Sequence, residues 1–249
     1  MKRQACVARA FLIGVAVLGA MAAPAAGDEV LVAVAANFTA VAEDLAAMFE
    51  DETGHTARLS FGSTGQLYAQ ISQGAPFGAF LAADDERPQQ AIEEGFAVEG
   101  TAFTYAVGRL ALFSPTLDVS IGPDALNLTF EHLAIADPEA APYGAAAVET
   151  MTALGADERL ADRIITGENI SQVLQFVESG NAELGFVAES QVIGRKHQWL
   201  VPADMHEPIA QDAVLLTAGA KNPAAMAFLE FLQTPKAVSV IEAAGYSVP

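Results

Sequence analysis

The chain has 249 residues, 52% of them apolar, and a formal net charge of -19 at pH 7. That is enough apolar material for one or two cores, while so acidic a balance excludes the clustered Lys and Arg that nucleic acid or an anionic membrane surface demands. The single cysteine, Cys6, excludes a disulfide or a thiolate metal site anywhere beyond the N-terminus.

The first 27 residues stand apart. Lys2, Arg3 and Arg9 precede an apolar run over 10–23, and small residues follow at Ala23-Pro24-Ala25. This is the pattern of a cleaved secretory signal peptide, its apolar run shorter than the ~20 residues of a spanning helix. Cleavage removes three cations, no acid and Cys6, leaving an exported chain near -22 from the original -19.

From residue 29 the chain alternates strand and helix. "EVLVAVAAN" (29–37) reads as a buried strand ending in Asn37. "TAVAEDLAAMFEDETG" (39–54) has apolar residues at helical spacing, Thr39 as N-cap and Gly54 as stop. "TARLSF" (56–61), "GQLYAQISQG" (65–74), "FGAFLAAD" (77–84) and "ERPQQAIEEG" (86–95) continue as strand, helix, strand, helix. Strands separated by helices imply a parallel, doubly wound α/β sheet.

"FTYAVGRLALFSP" (103–115) breaks the rhythm as one long extended segment. Alternation resumes in "HLAIADP" (132–138), "GAAAVETMTALG" (144–155), "ISQVLQFVESG" (170–180) and "LGFVAES" (184–190). A second extended run, "AVLLTAG" (213–219), precedes two closing helices at 222–233 and 235–245. The economical architecture is α/β with two parallel-sheet lobes joined by two extended crossings, near 105–110 and 210–214. Lobe 1 then spans 28–106 plus 213–249, and lobe 2 spans 107–212. A single six- or seven-stranded domain is the alternative at this length.

Three places share one design, in which an apolar strand ends, small or polar residues follow, and a helix begins. They are Ala36-Asn37-Phe38, Gly62-Ser63-Thr64 and Glu168-Asn169-Ile170-Ser171, and "DPEAAPYG" (137–144), with Tyr143, resembles them. Parallel strands deliver such turns to one sheet edge. Helix N-termini meeting across a cleft would present free N–H groups and positive dipole ends to an anion. Each residue taken singly reads first as an ordinary N-cap, Ser63 excepted because its glycine neighbours let a ligand approach the backbone, so the weight lies in their recurrence.

Enzymatic patterns are poorly supported. "GSTGQ" has no Walker lysine, Ser63 has no G-x-S-x-G elbow, and His55, His132, His197 and His206 are scattered. Asp84, Asp85 and Glu86 could chelate a hard cation, or form solvated acidic surface.

Taken together, "VAVAANFTAVAEDLAAMFEDETGH", "SFGSTGQLYAQISQGAPFGAFLAADDERP", "IADPEAAPYGAAAVETM" and "GENISQVLQFVESGNAELGFV" resemble the periplasmic molybdate-binding proteins of molybdenum ABC importers. The resemblance covers nearly all of the chain after the signal peptide. It implies the two-lobed type II periplasmic-binding-protein fold and a tetrahedral oxyanion ligand, molybdate or tungstate, delivered by a monomeric receptor to a membrane permease. No other cofactor and no metal beyond the molybdenum of the ligand is implied. Carried over by position, the ligand meets Asn37, the hydroxyl and amide of Ser63, Tyr143, and the backbone amide of Ile170. Ala188 departs from the many relatives with a ligand-binding tyrosine there, and Tyr143 is read as supplying that hydroxyl. Molybdate is fully deprotonated at neutral pH and so suits a site of donors alone, whereas phosphate favours an acceptor for its proton. Receptors for sulfate or a metal ion, and an exported enzyme, are the alternatives.

Overall fold

A computed structural model describes residues 27–249; residues 1–26, with the expected signal peptide and Cys6, lie outside the described residues. In chain order the elements are β1 (Glu29–Ala35), α1 (Thr39–Thr53), β2 (Thr56–Gly62), α2 (Thr64–Ser72), β3 (Ala79–Leu81), α3 (Glu86–Glu93), β4 (Phe103–Gly108), β5 (Leu110–Phe113) and β6 (Leu133–Ala136). There follow α4 (Pro142–Ala153), α5 (Asp157–Leu160), β7 (Ile164–Gly167), α6 (Ile170–Glu178), β8 (Leu184–Ala188), β9 (Gln198–Leu200), β10 (Ile209–Leu215), α7 (Pro223–Leu232) and α8 (Pro235–Ala243).

The strands form two five-stranded sheets, ordered β2-β1-β3-β10-β4 and β7-β6-β8-β5-β9, one to each lobe of the α/β architecture. Each sheet has three parallel strands, β2-β1-β3 and β7-β6-β8, extended by antiparallel ones. The antiparallel additions follow from the crossings. A strand entering from the other lobe starts at the edge where the parallel strands end, so it must run the opposite way. The extended segment 103–115 accordingly divides into β4 in the first sheet and β5 in the second, with Arg109 between them. The chain returns between Leu200 and Ile209.

β1 is buried from Val32 to Ala35 on both faces, as a strand covered by helices on two sides must be. Phe38, Phe49 and Phe228 fill one side of that first sheet, and Leu67, Ile71 and Phe80 the other. In the second lobe Leu112, Leu133 and Phe186 are fully buried. Gly54, at φ 73°, ends α1 in the left-handed conformation that glycine adopts without strain.

Register matters most for function. β1 and β2 pair in parallel from Glu29↔Thr56 to Ala35↔Gly62, so both end level and set Asn37 beside Ser63. β6 and β7 pair from Leu133↔Ile164 to Ala136↔Gly167, which sets the turn before Tyr143 beside the one before Ile170. Thr39 is not the N-cap of α1. A 3-10 turn over Ala36–Phe38 precedes the helix, and the Thr39 hydroxyl donates back to the Ala36 carbonyl over 2.8 Å.

Candidate functional site

The strand ends converge on a buried cavity between the lobes, lined by Asn37, Ser63, Thr64, Tyr143, Asn169 and Ile170 together with small apolar residues. All four residues singled out by sequence, Asn37, Ser63, Tyr143 and Ile170, border it. Its volume, taken as room for the centre of a water-sized sphere, is about 10 Å3. That is room for a group of a few atoms. No Asp, Glu, Lys, Arg or His is among its lining residues.

Each helix start leaves donors over. Ser63 is the N-cap of α2, its Oγ accepting from the Gln66 amide at 3.4 Å, so its own proton remains to be given. Asn169 caps α6, and its Oδ1 accepts from the amides of Ser171 (3.0 Å) and Gln172 (3.1 Å). The amide of Ile170, at the first position of α6, lies outside that cap and precedes any intrahelical bond. Pro142 opens α4 without an N–H to spend, placing Tyr143 at the second position.

Asn37 meets the cavity differently from the sequence reading. Both hydrogens of its side-chain amide are already committed, to Gln211 Oε1 (2.9 Å) and the Tyr246 hydroxyl (3.1 Å). What it has left to donate is its backbone N–H, in the 3-10 turn after β1.

Behind the cavity lies a polar network absent from the sequence reading. Gln211, fully buried in β10, accepts from Asn37 and from the Tyr105 hydroxyl (3.0 Å), and donates through Nε2 to the Tyr143 hydroxyl (3.2 Å). The Tyr246 hydroxyl donates to the Asn37 carbonyl (3.0 Å), and Ser190 Oγ lies 2.9 Å from it. Burial, the leading cause in each case, raises Tyr105 and Tyr143 well above the usual phenol range and pushes Tyr246 up to about 12. All three stay protonated as neutral donors. One signal was available: a glutamine in "IAQDAVL", in step with the inward-facing Ile209 and Ala213.

Ala188, at the end of β8, is buried with no hydroxyl to give. Its N–H donates to Gln191 Oε1 (3.3 Å), Gln191 Nε2 donates to Ser171 Oγ (3.2 Å), and Ser171 Oγ donates across the lobes to the Ala36 carbonyl (3.0 Å). Two further bonds span the cleft, from the Gly65 amide to the Ala140 carbonyl (2.9 Å) and from Arg87 Nη2 to the Glu139 carbonyl (3.1 Å). The lobes are closed on each other.

Outside the cavity the cleft widens to about 210 Å3 and turns acidic, with Asp84, Asp85, Glu86, Glu139, Glu149 and Glu207 around Arg87. Asp84 is mostly buried rather than solvated. It accepts from the Arg87 amide (3.0 Å) and pairs with Arg87 Nη1 (3.2 Å), yet burial pushes its carboxyl up to about 6. Among the described residues no cluster of His, Cys, Asp and Glu is arranged to hold a metal ion.

The chain is 51% identical over 241 residues to the molybdate-binding protein ModA of Rhodobacter capsulatus, covering 96% of each chain. It is 50% identical over 237 residues to ModA of Azotobacter vinelandii, covering 92% of this chain and 94% of that one. A solved Azotobacter vinelandii periplasmic molybdate-binding protein superposes with a TM-score of 0.85 at 39% identity, over 88% of this chain and 99% of the other. The sulfate-binding protein SubI of Mycobacterium tuberculosis, at TM-score 0.71 and 11% identity, shares the fold alone. Residues 30–247 match the sequence pattern of one family across both lobes and the cavity between them, and the chain belongs to it: the bacterial extracellular solute-binding proteins.

Proposed function

We propose that the protein is a periplasmic receptor that captures molybdate, and tungstate with it, between its lobes and delivers it to the permease of an ABC importer. The observation that carries this is the cavity: buried, ion-sized, and lined by neutral groups in a chain of net charge -19. The Ser63 and Tyr143 hydroxyls and the amides at the starts of the 3-10 turn, α2 and α6 supply donors. The positive ends of the helices supply potential without a cation. Each charge-assisted bond is worth about 1.5–3 kcal/mol, so several together outweigh the cost of ordering and desolvation. Tyr143 gives the hydroxyl that Ala188 cannot. A cation would want carboxylate or imidazole ligands, and the carboxylates here stand outside, in the acidic cleft. The names of relatives at 50% and 51% identity support the same ligand.

Calorimetry and thermal shift of the protein with molybdate, tungstate, sulfate and phosphate test this. Large stabilisation by the first two alone is expected. No response to any oxyanion would sink the proposal.

A further inference from the structure

We propose that Asp84 and Arg87 form a latch between the lobes: Asp84 positions the Arg87 guanidinium, which holds the closed form around the ligand by gripping the Glu139 carbonyl. The inference rests on the reading that the two lobes bind an oxyanion between them and part to release it.

Arg87 is the one cation among the residues lining the acidic cleft, and its terminal nitrogens go to opposite lobes. Nη1 pairs with Asp84 Oδ2 at 3.2 Å, and Nη2 donates to the Glu139 carbonyl across the cleft at 3.1 Å. Asp84 holds the same residue a second time, its Oδ1 accepting from the Arg87 amide at 3.0 Å. A carboxylate bound to one arginine by both oxygens restricts where that side chain can point.

Both ends of the latch are anchored. The Asp84 carbonyl accepts from the Asp212 amide of β10 at 3.2 Å. On the other lobe, Asp137 Oδ1 accepts from the Glu139 amide (3.0 Å) and the Asp137 carbonyl from the Ala141 amide (2.8 Å). Ala83 and Ala141 line both the cavity and the acidic cleft, so the bridge stands in the cleft directly outside the cavity.

An exposed ion pair contributes little, but only 13% of the Asp84 side chain is exposed. Burial pushes its carboxyl up to about 6, so at neutral pH the charge is kept against that burial. What the carboxylate holds in place accounts for its being there. When hinged lobes part, the Asp84–Arg87 pair travels with the first lobe and the Glu139 carbonyl leaves it. The bond to Glu139 therefore favours the closed form alone and slows release.

Stopped-flow release of molybdate at pH 7.5 tests this, with calorimetry for affinity. Asp84→Asn and Arg87→Met should each speed release about tenfold. The double variant should release no faster than Arg87→Met, because the two residues act through one bond. Asp84→Asn separates a latch from a charge effect. It removes a negative charge near a bound dianion, which by charge alone slows release, whereas a lost latch speeds it. Slower or unchanged release in Asp84→Asn overturns the proposal. Glu86 also pairs with Arg87, but its side chain is 76% exposed, so Glu86→Gln should leave the rate within about twofold. An acceleration equal to that of Asp84→Asn overturns the role given to Asp84. Arg87→Lys keeps the charge without the fork, and gives the same readout should the methionine variant not fold. A wild type that binds molybdate, with unchanged rates in the variants, overturns this inference alone. A wild type that binds no oxyanion overturns the functional reading as well.

Discussion

The Gly65 amide of the first lobe donates to the Ala140 carbonyl of the second over 2.9 Å, and the two backbones lie so close that any side chain between them would press them slightly apart. A Cβ on residue 65 would stand 3.1 Å from Ala140 Cα and 3.2 Å from its carbonyl oxygen. The closed form thus favours a glycine at a position outside the cavity lining. Gly65→Val should hold the lobes slightly apart, weakening molybdate binding about tenfold through faster release. Unfolding of the ligand-free protein should change little. Stopped-flow dissociation rates check it, and an unchanged rate would show that this contact does not limit closure.

Ser63→Ala separates two roles of one hydroxyl. As the cap of α2 its loss costs about 1 kcal/mol of stability with no ligand present. As a ligand donor its loss costs about tenfold or more in affinity. Urea unfolding of the free protein and calorimetry with molybdate read the two independently, and both should shift.

Ile170→Pro deletes one hydrogen-bond donor and suits the backbone of the helix start, while shortening a buried side chain. Proline is favoured at the first helical position, and Asn169, at φ -157° and ψ 172°, already has the extended backbone that a following proline requires. Molybdate affinity should drop about tenfold or more, while Ile170→Val, which keeps the amide, should bind like wild type. Equal binding by the two variants would remove this amide from the site.

These residues show what was legible beforehand. Ser63, Ile170 and Tyr143 were visible because capping chemistry and the ends of apolar strands are local signals, read within a few residues. β7 and β9 were not, since Ile164–Gly167 and Gln198–Leu200 are too short to show a period. The parallel-sheet expectation missed the antiparallel strands because a crossing reads only as an extended run. The inward face of Gln211 had a local signal but its partners did not: Tyr105 and Tyr143 are 106 and 68 residues away. The same separation hid the use to which Asn37 puts its side chain.

Asp84 should make stability depend on pH. Burial, only partly offset by Arg87, raises its carboxyl from an ordinary 3.8 to about 6. The folded protein then binds this proton more firmly than the unfolded chain, so between about pH 4 and 6 the Asp84 contribution falls as pH rises. Above that window the full penalty applies, about 3 kcal/mol for a shift of this size. Asp84→Asn should stabilise the ligand-free protein at pH 7.5 and give no gain at pH 4. Urea midpoints at the two pH values check it, and a gain independent of pH would assign the effect to something other than ionisation.

The network behind the cavity also sets an order on assembly. Asn37 belongs to the first strand and turn, yet the groups that hold its side chain, Gln211 and Tyr246, follow the whole of the second lobe in the chain. The first sheet can pair β1, β2 and β3 early, from local contacts, but must wait for β10 before its cavity wall exists. Pairing across such separations is slow because loop closure precedes its reward. A chain that stops before β10 keeps Ser63 and lacks both groups that hold the Asn37 side chain.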